Sequence, residues 1–501
     1  MGKNKKVALL LPYYEGRNHS QFLGVGYLSA VLKQEGYDTL ILDEDAVVFL
    51  METQNDETPL KSARKFILDK LFDYSPFIIG ITINTANYER SLELLKVVRE
   101  HFPEIKIAVG GPHISTSWKT FLKYHGQLCD VAIIGEGEWT LVEICNRIHD
   151  RKPLDAIKGA VLSKTEGTAF TPRNLITNLD ILPYPDRAGF FKAFSKDVYS
   201  IIDENYHWVF YSHLPGFRGK KYARIVGSRG CDYSCKFCSP SVFWQDPVTG
   251  KSCRRIRDPL EVVHEIEWLF EHGYQSFYFD DPTFPFLSKP DFYKKMLYEL
   301  KKRGLGINWA APTRYDELSE NTLLELSNSG FTYTYFGLET YLHDNLIKMG
   351  KPSKIEKCLK LVQSCKKIGI HCDVSYQIGL PGENFDSIIL SIKWLEEKEL
   401  QKNSFFSIAA IWPETSWAKT YGVKSEHYEP EFEKKNLENK GLFYFKPGNP
   451  QIERFFSNCS GNFHFIDEET AIRVKHYLID SGFIKRFDQY RFGGHSGTPI
   501  S

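Results

Sequence analysis

The run Cys231-Asp232-Tyr233-Ser234-Cys235-Lys236-Phe237-Cys238 sets three thiols on one short loop, spaced by three residues and then by two. The chain holds ten cysteines, at 129, 145, 231, 235, 238, 253, 358, 365, 372 and 459, and only these three crowd together. Ten cysteines among 501 residues, in a chain that opens without a signal-peptide pattern, argue against a disulfide framework. Three thiolates from one loop can ligate three irons of a cubane cluster. Such clusters normally take four cysteines, so the fourth iron keeps an open coordination position. Zinc sites pair a Cys-x-x-Cys unit with a second unit or with histidines. Cys235 and Cys238 make one unit, but Cys231 and Cys253 do not make another. Structural zinc and simple thiol burial are the competing readings.

The loop sits inside a strand–helix rhythm. Ala223 to Val226 is a strand leading into it, and Phe277 to Phe279 is another, ending at Asp280-Asp281. Asn308 to Ala311 precedes Arg314, Tyr333 to Gly337 ends at Glu339, and His371 to Ile378 ends in Gly379-Leu380-Pro381-Gly382-Glu383. Phe405 to Ile411 reads as the last strand. Six such steps predict a partial (β/α)6 barrel over residues 221–422, with its site at the strand C-termini. Upstream, Val7 to Leu11, Thr39 to Leu42, Phe77 to Ile83, Lys106 to Val109 and Val131 to Ile134 read as strands between helices. That alternation predicts an α/β, doubly wound Rossmann-like domain over residues 1–150. Its ligands belong at the carboxyl ends of the strands. There the sequence places Gly110-Gly111-Pro112-His113 and Gly135-Glu136-Gly137-Glu138. Residues 151–220 lose the rhythm. They carry the stiff turn Leu182-Pro183-Tyr184-Pro185-Asp186-Arg187 and read as a linker region. Residues 423–501 read as an α-rich, irregular C-terminal region on the substrate side, with a helix near Glu468 to Ser481.

Composition excludes some classes. Lysine plus arginine and aspartate plus glutamate both number 63, so no global field draws the chain to nucleic acid or an anionic membrane. No apolar run reaches the roughly 20 residues of a membrane helix. The opening apolar run Val7 to Leu11 is too short for a secretory leader. The expectation is a cytoplasmic protein.

The cysteine loop resembles the signature of the radical S-adenosylmethionine superfamily, Cys-x-x-x-Cys-x-x-Cys with an aromatic before the last cysteine, here Phe237. The resemblance implies a 4Fe-4S cluster on Cys231, Cys235 and Cys238. Its open iron chelates S-adenosylmethionine, and reductive cleavage gives a 5′-deoxyadenosyl radical. In that family Asp280 and Asp281 stand where acceptors for the methionine ammonium are placed. Arg314 and Glu339 stand where the carboxylate and ribose are contacted. Gly379 and Gly382 fall in an element that resembles the one lying against adenine. A solvated turn is the plainer reading of the Asp pair, and a strand-ending turn that of the glycines.

The N-terminal domain resembles the cobalamin-binding domain that precedes the barrel in one large subfamily. Gly110, Gly111, Gly135 and Gly137 carry this resemblance, with the Pro-rich turn at 182–187 and Arg255-Ile256-Arg257-Asp258-Pro259. Glycines there let a large ligand lie against bare backbone. The Asp-x-His-x-x-Gly motif that supplies an axial histidine is absent: His19 does not fit it, and His113 reads as a packing or capping residue. The resemblance therefore implies cobalamin without a protein imidazole below the cobalt. It covers residues 5–420.

What the resemblance implies, taken together, is a C-methyltransferase acting on a small, natural-product type molecule through methylcobalamin. An electron donor such as flavodoxin or ferredoxin would serve it, with no nucleic-acid or membrane partner. One alternative keeps the radical but ends in rearrangement, cyclisation, dehydration or epimerisation, and allows a vestigial cobalamin domain. Another is a non-enzymatic metal-binding or redox-sensing module. Cys358, Cys365 and Cys372, seven apart, read as buried thiols. Cys459 stands as a minor candidate hydrogen donor.

Overall fold

β1 (Lys6–Leu11) is buried at every position but the first, the pattern of a strand covered on both faces. Its side chains alternate between two cores, with Val7, Leu9 and Leu11 in one and Ala8 and Leu10 in the other. β2 (Asp38–Asp43), β3 (Ile78–Thr82), β4 (Lys106–Gly110) and β5 (Val131–Ile133) complete a parallel sheet, and β6 (Ala160–Leu162) adds an antiparallel edge. The order is β2-β1-β3-β4-β5-β6. The winding reverses between β1 and β3, and their carboxyl ends part there to leave a crevice. The computed structural model describes residues 4–14, 22–163, 170–196, 198, 214, 216–246, 249–284, 289–352, 354–447, 449–453, 455–456 and 459–483. His19 lies outside them.

The second sheet begins with β7 (Tyr222–Ile225). β8 (Ser228–Arg229) and β9 (Arg255–Ile256) pair as an antiparallel ribbon at either end of the cysteine loop. β10 (Ser276–Phe279), β11 (Asn308–Thr313), β12 (Phe331–Glu339), β13 (His371–Ile378) and β14 (Ser404–Ile408) then follow β7 in parallel, in the order β14-β13-β12-β11-β10-β7. The six expected strands form an open barrel.

The tail departs from the expected irregular region. Phe405 to Ile411 is not one strand. It breaks at Ala409, and β15 (Ala410–Ile411) joins β16 (Phe443–Phe445) and β17 (Asn462–His464) in a small antiparallel sheet. The cause is His464, buried on β17, whose ring nitrogens meet the carbonyls of Ala409 at 2.9 Å and Cys459 at 2.6 Å. An edge strand of two residues carries too little pattern to be read from sequence. β6 escaped the same way, within the stretch read as linker.

Buried joints tie the barrel and the tail to the N-terminal domain. In the proline turn, the Asp186 amide donates to Gly26 at 3.0 Å and its carboxylate meets Lys33 at 2.6 Å. The next residue, Arg187, faces the barrel. It donates to the Arg224 carbonyl at 2.7 Å and to Glu265 at 2.9 Å. Glu265 is fully buried and also takes Arg257. Burial alone would raise its carboxyl, but the Arg257 and Arg187 guanidiniums outweigh that and hold it below the ordinary glutamate value. At the second joint the tail docks on the N-terminal domain. Buried Glu429 accepts from the Tyr88 hydroxyl at 3.0 Å and pairs with His125 at 2.8 Å.

A Glu265→Ala change strands two buried guanidiniums. It should cost about 3–5 kcal/mol, read as a drop in the denaturant midpoint. Lys33→Ala removes a partner that is 40% exposed and should cost less than about 1 kcal/mol.

Candidate active site between the two sheets

A cavity of about 400 Å³ fills the crevice between β1 and β3. Its floor is the carboxyl end of the first sheet: Leu9, Leu10, Gly80, Thr82, Gly110, Gly111, Gly135 and Gly137. Its far wall belongs to the second: Arg229, Ser239, Pro240, Phe243, Trp244 and Asp280. The four glycines expected at strand ends therefore face one space. Gly111 has φ +99° and a Cβ there would stand 2.7 Å from the Ile83 carbonyl oxygen, so only glycine fits. Gly135, at φ +81°, has nothing within 4 Å of its Cβ direction, so its bare backbone is open to a ligand. The mostly apolar cradle and glycine backbone fit a large flat ligand such as a corrin. His113 does not line it. Its ring is buried, bonds Thr85 at 3.1 Å and stacks on Tyr88 at 4.0 Å, and burial pushes its pKa down to about 3.

The cysteine loop leaves β8 through Gly230, which has φ +90°. A Cβ at Gly230 would stand 1.9 Å from the Cys253 carbonyl oxygen, so the loop is pressed onto the ribbon. Backbone bonds hold it further: the Lys236 amide donates to Met349 at 3.0 Å, and the Trp417 amide to Lys236 at 3.1 Å. Phe237 packs on Trp417, with ring centroids 5.6 Å apart. Burial, and then the neighbouring Cys235 and Cys231, push the Cys238 thiol up to about 12. Converging thiolates need a cationic centre to bind them. Three thiols on one loop suit a cluster that keeps one iron open.

The expected S-adenosylmethionine residues fall into two groups. Asp280 lines the cavity and pairs with Arg224. Asp281 turns away. It is buried and accepts from the Gly227 amide at 3.0 Å and the Ser228 hydroxyl, bracing the approach to the loop. Arg314 grips Asp316 through two bonds of 3.0 and 2.9 Å, lies 3.7 Å from the Tyr233 ring centroid and reaches the Cys235 sulfur at 3.8 Å. Glu339, at φ +68°, is held by Lys351 and by Gln377 at 3.0 Å. Gly379 is pressed against Ile466 of the tail, whereas Gly382 is open. Between them and the next helix, Glu383 accepts from the Leu380 amide at 2.9 Å, and burial raises its pKa to about 7.

Four residues that sequence reading passed over join the halves of the site. Glu136 and Glu138, between and after the second pair of glycines, bind Arg229 at 2.8 and 2.6 Å. Glu136 also takes Arg255 at 2.8 Å. The alternation of glycine with glutamate was the available signal, but a solvated loop produces the same pattern. Cys358, Cys365 and Cys372 are buried in the barrel core, as expected of plain thiols. Cys459 is buried and donates to the Phe456 carbonyl at 2.9 Å.

Two outcomes follow from this geometry. Cys235→Ala should abolish the broad iron–sulfur absorbance of anaerobically reconstituted protein, and Cys358→Ala should leave it unchanged. Burial raises the Asp281 pKa to about 6, against 3.8 ordinarily, although Ser228 and Gly227 bond the carboxylate. Its contribution to stability is full below pH 3.8 and is lost as pH rises through about 6. The stability of wild type relative to Asp281→Asn should therefore fall across that window and stay flat above it.

Comparison with known proteins agrees with this layout. The B12 binding domain family matches residues 17–145 and the Radical SAM superfamily matches residues 225–395. An uncharacterized methyltransferase of Pyrococcus horikoshii is 26% identical, over 78% of this chain and 76% of the relative. The anaerobic magnesium-protoporphyrin IX monomethyl ester cyclase of Rubrivivax gelatinosus is 26% identical, over 82% of this chain and 68% of its own length. The cytidylyl-2-hydroxyethylphosphonate methyltransferase of Streptomyces wedmorensis is 25% identical, over 78% and 76%. Among solved structures, the radical S-adenosylmethionine methyltransferase TsrM of Kitasatospora setae superposes with a TM-score of 0.67 at 16% identity, over 97% of this chain and 90% of its own. The cobalamin-dependent enzyme OxsB superposes with a TM-score of 0.63 at 15% identity, over 98% and 70%. The first sheet with its glycine cradle, the cysteine loop on an open six-stranded barrel and these matches agree: the chain belongs to the radical S-adenosylmethionine superfamily, in the branch that carries an N-terminal cobalamin-binding domain.

Proposed function

We propose that this enzyme methylates an unactivated carbon of a small molecule, using S-adenosylmethionine, a 4Fe-4S cluster and cobalamin. The observation that carries the reading is the shared cavity, whose floor is the glycine cradle and whose wall runs from Arg229 to Asp280, past the exit of the cysteine loop. A vestigial cobalamin domain has no reason to keep that cradle open toward the barrel. When bound, the cluster with S-adenosylmethionine supplies a hydrogen-abstracting radical and cobalamin supplies the methyl group.

The residues have the following proposed parts. Cys231, Cys235 and Cys238 hold the cluster. Asp280 takes the ammonium of S-adenosylmethionine, and Asp281 fixes the backbone beside it. Arg314 braces Cys235 from the side. Glu339, with Lys351 and Gln377 setting its orientation, faces the ribose, and Gly379 and Gly382 give adenine a backbone edge. Gly110, Gly111, Gly135 and Gly137 support the corrin. Phe237, Trp417 and the tail residue Ile466 keep water from the radical. Lys236 is exposed within the cysteine loop and offers a short approach for a one-electron donor such as flavodoxin or ferredoxin. Among the described residues no disulfide joins any of the cysteines, which suits a reducing, cytoplasmic setting. Among the described residues no helix is long and apolar enough to cross a membrane.

The cyclase relative keeps a second reading in view, in which the same radical closes a ring without methyl transfer. The products separate the two. Reduced enzyme loaded with cobalamin should form S-adenosylhomocysteine in amounts stoichiometric with bound cobalamin, and 5′-deoxyadenosine besides. If 5′-deoxyadenosine forms and S-adenosylhomocysteine never does, the methyltransferase reading falls.

A further inference from the structure

Glu136 lies between Gly135 and Gly137, and all three line the cavity. The same carboxylate holds Arg229 at 2.8 Å, binds Arg255 through both oxygens at 2.8 Å and accepts the Ile176 amide at 2.7 Å. Glu138 takes the other side of Arg229 at 2.6 Å. Arg229 is followed by Gly230 and then Cys231, and Gly230 has no freedom because Cys253 is pressed onto it. A ligand seated on the bare backbone at Gly135 thus connects to the first cluster thiol through two ion pairs and one rigid turn.

The side chains of all four are nearly out of water, two of each sign. In such surroundings a pair misplaced by an ångström loses its hydrogen bonds without regaining water, so the network favours discrete arrangements over gradual slack. Arg255 is 8% exposed, yet its Nε and Nη2 have no partner among the described residues. These donors are available to a second arrangement of the clasp.

We infer that Glu136, Glu138, Arg229 and Arg255 act as positioning residues that couple occupation of the glycine cavity to assembly of the cluster loop, so that each cofactor tightens the binding of the other. The inference rests on the corrinoid reading of the cavity. Linkage makes the effect reciprocal: whatever factor the cluster adds to corrinoid affinity, the corrinoid adds to cluster retention.

The test is titration of full-length protein with hydroxocobalamin, followed by absorbance, before and after anaerobic reconstitution of the cluster. Wild type should bind at least about fivefold more tightly once the cluster is present, the lower end of ordinary coupling. Arg255→Gln, which alters the clasp outside the cavity lining, should bring that ratio below about twofold, and Arg255→Lys should restore part of it. Hydrogen exchange on wild type gives a second reading, since hydroxocobalamin should add protection to amides 229–238. Equal affinity with and without the cluster in wild type, or an undiminished ratio in Arg255→Gln, overturns the inference. Coupling without S-adenosylhomocysteine would sink methyl transfer alone. S-adenosylhomocysteine without coupling would sink the clasp alone.

Discussion

Two carboxylates and two guanidiniums meet out of water where the sheets touch, and the relative placement of the two halves of the site depends on them. Glu136 comes from the loop after β5 and Glu138 opens the helix Glu138–His149 that follows it, while Arg229 and Arg255 come from the ribbon that carries the cysteine loop. Breaking one partner of such a set leaves an uncompensated buried charge, at a cost of about 3–5 kcal/mol. That is a large share of a domain's net stability, so the junction keeps its charges paired rather than drifting. A flexible tether could not keep two reaction centres in register. A charged junction with fixed hydrogen-bond directions can.

The other joints repeat the same device farther out. Arg187 ties the proline turn to Glu265 and the start of the barrel, and Arg257 closes that carboxylate from the other side. Glu429 ties the tail to Tyr88 and His125. The tail in turn presses Ile466 against Gly379, so the C-terminal region helps shape the turn that follows β13. The chain runs sheet, clasp, barrel and tail, with a buried polar joint at each passage.

Much of this was legible beforehand because parallel strands buried on both faces write themselves as apolar runs, and Val7 to Leu11 is such a run. The three clustered cysteines had no ordinary structural use, and the strand-end glycines needed a reason. The clasp was not legible. Its members are spread from 136 to 255, and charged residues in loops usually face water. Asp281 shows the same limit: a pair of aspartates at a strand end does not say which one turns inward to brace Gly227. The split of Phe405 to Ile411 depended on His464, more than fifty residues away along the chain.

Separation of the two metals is the central claim, and anomalous diffraction tests it most directly. Crystals of anaerobically reconstituted, cobalamin-loaded protein, measured at the iron and cobalt absorption edges, should show iron density at Cys231, Cys235 and Cys238. They should show a distinct cobalt peak in the cavity between Gly111, Gly135 and Trp244. Cobalt elsewhere with that cavity empty, or iron bound away from the three cysteines, would contradict the account.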